Sequence, residues 1–313
     1  MTFTPWHIWV AFLLDLVFGD PKWVPRPETV VLRSVHFLEH PFIEKGVLKI
    51  GQKWAGVILA IAVILLTMGV SAGLIFLSGH LHTKMLLAVL LYLAYTTLTM
   101  RSFGDRVYGV FQWLQKKKLS SARSELCHLI GYNTMHLTES GVIQATVLAV
   151  AGNIVNGVVA PLLYLSLGGV PLAMAYKAIN TLHFALGQKD SLYRGWGWGA
   201  ATIYEWANCI PARITGALMV IGATFLFGTG SKAFMILLRN GWKKGSPNVE
   251  IQGSVAAGAI GMTLRDPSAD VEVLPLFPLR EDEIDEAESH HIVDAIKLMG
   301  AVACVMLILC LMM

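Results

Sequence analysis

Five short stretches place cations, amides and an acid beside Gly or Pro within otherwise apolar sequence. They are Leu14–Pro27 (LDLVFGDPKWVPRP), Gly131–Thr134 (GYNT), Asn153–Pro161 (NIVNGVVAP), Lys177–Leu182 (KAINTL) with Asn208–Arg213 (NCIPAR), and Ser246–Asn248 (SPN). On a helix, Lys177 and Asn180 are three residues apart and share a face. Lys177 and Arg213, with the amides of Asn153, Asn156, Asn180, Asn208 and Asn248, suit a ligand that carries phosphate or carboxylate. Asp20 adds an acid. Each stretch also has a plain structural reading. Gly-Asp-Pro is a common turn, Asn beside Gly-Val is often a cap, and Arg213 before an apolar run is an interfacial anchor.

Other chemistries find no support. There is no G-x-x-x-x-G-K-[ST] loop, no G-x-G-x-x-G after a strand, no H-E-x-x-H and no G-x-S-x-G. Cys127 and Cys209 stand alone, Cys304 and Cys310 lie in an apolar tail, and none has C-x-x-C spacing. Neither a zinc site nor a disulfide framework follows. The run Arg280–Glu288 (REDEIDEAE) reads as a solvated acidic helix start in preference to a metal site. The adjacent His290 and His291 are expected to point to different sides of a helix. Net charge is only +3, and no basic stripe interleaved with aromatics supports a nucleic-acid partner.

The elements that hold these residues belong in a bilayer. Of 313 residues, 55% are hydrophobic and 14% charged, against about 25% charged in a soluble domain. Mean hydropathy is +0.60. An apolar soluble α/β enzyme is the competing reading, but the apolar residues fall in long unbroken runs, which a membrane solvates. Trp54–Leu77 is the clearest span, followed by Met85–Met100. With only Ser78–Lys84 between them, residues 54–100 read as a transmembrane hairpin. Lysines and arginines crowd its outer flanks, so the positive-inside rule puts the tip outside. Ile214–Phe227 and Leu298–Met313 are shorter candidates, the second within a C-terminal helix over 296–313. Trp6–Phe18 reads as retained rather than as a cleaved signal. It carries Asp15 and suits a re-entrant or interfacial helix as well as a span. Val142–Gly187 is apolar but broken by Gly, Asn and Pro. Either two ordinary helices join at Gly168-Gly169-Val170-Pro171, or a discontinuous element surrounds a site. The expectation is one all-α integral membrane domain over residues 1–313, with about four to five transmembrane helices, re-entrant or interfacial helices, and cytoplasmic polar loops.

The order of the motifs is more specific than any one of them. LDLVFGDPKWVPRP, GYNT, NIVNGVVAPLLYLSLGGVPLAMAYKAINTL from Asn153, YRGWGW from Tyr193, ANCIPARIT from Ala207 and SPN from Ser246 follow collinearly, with the core of the match over 131–213. The chain resembles the CobD/CbiB family, the membrane-bound adenosylcobinamide-phosphate synthases of cobalamin biosynthesis. The resemblance implies an ATP- and Mg²⁺-dependent ligation that joins adenosylcobyric acid to an aminopropanol, usually as its phosphate. It implies a multi-pass protein of the bacterial inner (cytoplasmic) membrane with its site on the cytoplasmic side. The corrinoid and aminopropanol phosphate would be its ligands, and other corrin-pathway enzymes its neighbours. Asp20, Lys177 and Asn180 would act in catalysis. Asn153, Asn156, Asn208, Arg213 and Asn248 would bind substrate, and Asp20 and Glu205 are the candidate metal ligands.

The chain departs from the family pattern mainly at acidic positions. The family reads Gly-Arg-Asp-Thr where this chain has Gly131, Tyr132, Asn133 and Thr134. Acids stand where this chain has Leu148, Gly152 and Asn156, and an Asp where it has His183. An Arg and paired Asp stand where it has Thr202, Tyr204 and Glu205. The Pro-Asn-Tyr-Tyr segment expected after SPN is replaced around Arg265–Asp270. Two readings follow: a divergent synthase, or a catalytically impaired homologue acting as a corrinoid-binding or scaffold subunit. Broken apolar segments with polar midpoints leave a transporter as a third.

Overall fold

The computed structural model describes residues 4–21, 26–41, 51–186, 194–240, 248–262 and 287–312. Tyr193, Ser246, Pro247, Arg265–Asp270 and most of the acidic run lie outside them. Every regular element among the described residues is helical. Five helical stretches are long and apolar enough to cross a membrane: Gln52–Leu81, Thr83–Gln115, Glu139–Leu186, Gly197–Phe227 and His290–Met312. The protein is an all-α, multi-pass membrane protein. Helices satisfy their own backbone groups, which a bilayer cannot do for them.

Local sequence explains most boundaries. Pro5–Phe18 starts at a capping box in which Thr4 and His7 satisfy each other's end groups, with Pro5 in the first turn. Gln52–Leu81 has 30 residues, or about 45 Å at 1.5 Å per residue, longer than a hydrocarbon core of about 30 Å. It runs through most of the expected Ser78–Lys84 connection. The break to Thr83–Thr97 is the single extended residue His82, whose side chain accepts from the Lys84 N–H. Ile214–Phe227 and Leu298–Met313, short by sequence, are apolar ends of the longer helices Arg194–Phe227 and His290–Met312. Polar first halves hid their length.

The two histidines that open the last helix do not diverge as expected. Their ring centroids lie 4.1 Å apart. His290 Nδ1 lies 3.1 Å from a Glu288 carboxylate oxygen, and the Glu288 N–H donates to His291 Nδ1 at 3.0 Å. Side chains in a first turn lean back toward the N-terminus, so both reach the same residue.

The broken segment resolves into Glu139–Asn153, a π-helical turn Ile154–Val159, and Ala160–Leu186. The last is two helices. Twelve residues of straight helix would set Tyr164 and Tyr176 about 18 Å apart, yet their rings stack at 4.9 Å. The reversal falls at Gly168-Gly169, where Gly169 has φ 64° and ψ −160°, a region open essentially to glycine alone.

The described residues divide into two compact units. One comprises 1–99, 160–209 and 309–313. In it, Pro27–Pro41, Gln52–Leu81 and Ala160–Leu186 enclose a core that includes Val31, Leu59, Val63, Ala178 and Leu182. Pro5–Phe18 packs on Thr83–Thr97. Gly199 permits a close helix contact, because a Cβ there would sit 2.8 Å from the Val57 backbone nitrogen. The other unit comprises 100–159 and 210–308. There, Glu139–Asn153 and Gly230–Asn240 each pack on Asn248–Ile260.

Candidate functional site

Lys177 is the centre of the first unit's polar chemistry. It is 3% exposed, yet it carries an ammonium. An unpaired buried charge is untenable, and the fold supplies a partner. Glu28, in the first turn of Pro27–Pro41, brings Oε1 to 2.7 Å from Lys177 Nζ. Lys177 also donates to the Thr97 carbonyl at 3.4 Å, where Thr83–Thr97 ends and its last carbonyls have no helical partner. Burial pushes the Glu28 carboxyl up, but attraction to Lys177 and their hydrogen bond outweigh it, leaving its pKa below the ordinary value.

Asp20 borders the same place. The turn at Gly19-Asp20-Pro21 is fixed at both ends: the Gly19 N–H donates to Asp15 O at 2.8 Å, and Tyr95 O–H donates to the Gly19 carbonyl. Gly19 sits at φ 56°, where a side chain would be strained. Arg26 donates to the Asp20 carbonyl at 2.9 Å, and its guanidinium lies 3.8 Å from the Asp20 carboxylate. Asp20, Arg26, Glu28, Tyr95 and Thr96 line one small cleft. The structure thus joins Asp20 to Lys177 through Glu28, a residue the sequence reading passed over. Its only local signal was an acid in the first turn after a helix-starting proline.

Asn180 lies one turn beyond Lys177 on the same helix, and Asn208 lies on Arg194–Phe227. Tyr176 O–H donates to Asn208 Oδ1 at 2.9 Å, and Asn208 Nδ2 donates to the Tyr204 carbonyl at 3.2 Å. Asn208, fully buried, ties two helices together. Asn180 differs. Its Oδ1 is buried and has no hydrogen-bond partner among the described residues, and the same holds for His183 Nδ1 one turn on. A buried polar atom left unmet costs about 1–3 kcal/mol. His183 and Tyr204, both at positions where the family resemblance expects acids, stack nearly parallel with centroids 3.9 Å apart. Glu205, next to Tyr204 in sequence, is exposed.

Asn153, Asn156, Arg213 and Asn248 belong to the second unit. Asn153 Nδ2 lies 3.8 Å from Met299 Sδ. Asn156 sits in the π-turn, Asn248 opens its helix, and Arg213 is exposed. The GYNT stretch has a clear local role. Gly131, at φ 79°, caps Leu119–Ile130. Asn133 accepts from the Met135 N–H, and Thr134 donates to Arg123 O at 2.6 Å. Among the described residues, no group of three His, Cys, Asp or Glu side chains is placed to hold a metal.

Fold and site together define a polytopic helical membrane protein with a buried ion pair beside an acid-bearing turn. The model described as "CobD/Cbib protein" matches residues 8–299. A Geobacter metallireducens protein, "Cobalamin biosynthesis protein CobD", is 37% identical over 254 residues, covering 81% of this chain and 79% of that one. A Pelobacter propionicus protein of the same description is 32% identical over 302 residues, covering 96% and 93%. "Cobalamin biosynthesis protein CbiB" of Salmonella typhimurium is 34% identical over 273 residues, covering 86% and 83%. No solved structure matches. The chain belongs to the CobD/CbiB family, and its function lies in cobalamin biosynthesis.

Proposed function

We propose that this protein forms the amide between adenosylcobyric acid and aminopropanol, taken as its phosphate, at a site on the cytoplasmic face of the bacterial inner membrane. The observation that carries this reading is the Lys177–Glu28 ion pair at a cleft lined by Asp20, Arg26 and Glu28, with the buried amide oxygen of Asn180, one turn beyond Lys177 on the same helix, unmet among the described residues. A substrate N–H, from the amine or from a corrin amide, relieves the cost of that orphaned acceptor. ATP supplies the activation, making the carboxylate an acyl phosphate with a competent leaving group. Mg²⁺ is usually held by one or two carboxylates together with substrate phosphates. That donor set fits Asp20, with Glu28 as the second acid of the cleft. Arg26 offers a fork of donors to phosphate oxygens. Lys177 is already held by Glu28 and the Thr97 carbonyl, so it fixes the cleft's geometry and field, and Asn180 orients the substrate amide.

The atoms balance simply. A carboxylate oxygen attacks the terminal phosphorus and ADP leaves. The amine then attacks the acyl carbon, phosphate leaves, and the amine's proton passes to solvent. The test supplies adenosylcobyric acid, ATP, Mg²⁺ and aminopropanol phosphate to the detergent-purified protein and follows the amide product by mass spectrometry. Product that depends on all four supports the reading. A well-folded protein that makes none leaves the non-catalytic corrinoid-binding reading, which the stacked His183–Tyr204 pair favours.

A further inference from the structure

A second cavity adjoins the polar cleft and shares Arg26 and Pro27 with it. It encloses about 300 Å³, at the lower end of the roughly 300–1,000 Å³ typical of ligand sites. Its walls come from four helices of the first unit. Val31, Ser71, Leu93 and Met174 make a floor of buried residues, while Leu66, Val70 and Leu74 stand at the rim and are about half exposed. Those rim residues belong to Gln52–Leu81, an apolar helix that continues beyond the cavity with exposed Phe76 and Leu77. The opening is therefore continuous with a surface that hydrocarbon covers.

The lining is apolar in effect as well as in composition. Ser34, Thr67 and Ser71 each donate to a carbonyl of their own helix, at Val30, Val63 and Met68. They present no unmet donor to the cavity. The one charge on the lining is Arg26. Among the described residues, Arg26 donates to the Asp20 carbonyl and lies 3.8 Å from the Asp20 carboxylate, which leaves part of its five-donor guanidinium for a ligand. A long apolar trough with a cation at one end matches one chemistry: a hydrocarbon chain that ends in an anion.

We propose that this cavity binds one anionic glycerophospholipid of the surrounding bilayer, with an acyl chain in the trough and the phosphate on Arg26. Arg26 is shared with the polar cleft, where it faces Asp20 and is assigned to substrate phosphate, so a lipid phosphate there would compete with both for the guanidinium and couple lipid occupancy to the cleft.

The test is native mass spectrometry of the full chain released from detergent, after incubation with dioleoyl phosphatidylglycerol or dioleoyl phosphatidylcholine and stepwise washing. The expected result is one phosphatidylglycerol per chain retained at least tenfold better than phosphatidylcholine. Val70→Trp, which fills the trough, should abolish retention. Leu77→Trp, on the same helix outside it, should not. Arg26→Gln should remove the preference between the two lipids. Equal retention of both lipids by the wild type, or undiminished retention by a folded Val70→Trp, overturns the proposal. Should Val70→Trp fail to fold, a chain-diazirine phosphatidylglycerol crosslinked to the wild type decides. Adducts at Val70, Leu74 or Met174 support the proposal, and adducts confined to other surfaces overturn it.

Discussion

Glu28→Ala isolates the buried ion pair. Lys177 is 3% exposed, and among the described residues its ammonium keeps only the Thr97 carbonyl, at 3.4 Å, once Glu28 is gone. Removing one partner of a fully buried pair costs about 3–5 kcal/mol. The Glu28 side chain is 32% exposed, so water reaches it and shares the load, which brings the expected cost to about 2–3 kcal/mol. At this chain length that is a fall of roughly 3–5 °C in apparent Tm. Lys177→Met removes the buried charge itself, so Glu28→Ala/Lys177→Met should lie closer to wild type than Glu28→Ala alone. The pair also gives a pH signature. The Glu28 carboxyl titrates below its ordinary 4.5. The stability it contributes is complete above the unfolded value and is lost as pH falls through the folded one. The wild-type advantage over Glu28→Gln should therefore hold at pH 7 and shrink as pH drops below 4.5. Thermal unfolding in detergent, followed by intrinsic fluorescence, measures the wild type, both single variants, the double variant and Glu28→Gln. Strictly additive Tm shifts in the double variant, or an advantage that persists unchanged in acid, would refute the coupling.

Other substitutions test the scaffold around that pair. Gly199→Ala places a methyl 2.8 Å from the Val57 nitrogen and 2.9 Å from its Cα. Backbone cannot yield cheaply, so yield and monodispersity on size exclusion should collapse. Gly152→Ala meets nothing within 4 Å and should gain about 0.5–1 kcal/mol from helix propensity, read as a small rise in Tm. Tyr95→Phe strands the Gly19 carbonyl and should cost about 1–3 kcal/mol. It should also raise the rate at which protease cuts the Gly19-Asp20-Pro21 turn, measured by limited proteolysis.

The helical membrane class was written in composition and run length, because a bilayer demands uninterrupted apolar sequence. Trp54–Leu77 was legible to within a few residues at each end. Arg194–Phe227 was not, since Glu205, Asn208 and Arg213 interrupt its hydropathy; Asn208 is buried against Tyr176, while Glu205 and Arg213 lie exposed along the same helix. The Gly168-Gly169 reversal was readable as a possibility and needed a φ above zero to settle it. Asp20, Lys177 and Asn180 stood out through motif order, and the structure sets Asp20 and the Lys177 partner Glu28 on one cleft. Glu28 was not, because its meaning comes from a partner 149 residues away. No local period encodes that pairing. His183 and Tyr204 were visible one at a time as departures from the family pattern. Their stacking is a property of the folded chain alone.

Oxygen tracing is the sharpest test of the proposed ATP-driven amide formation. Adenosylcobyric acid labelled with ¹⁸O in its carboxylate is given to the purified protein with ATP, Mg²⁺ and aminopropanol phosphate, and the released phosphate is weighed by mass spectrometry. The account predicts one ¹⁸O in phosphate for each amide formed, because the bridging oxygen of an acyl phosphate leaves with phosphorus. Amide formed with unlabelled phosphate, or no amide from folded protein, would contradict it.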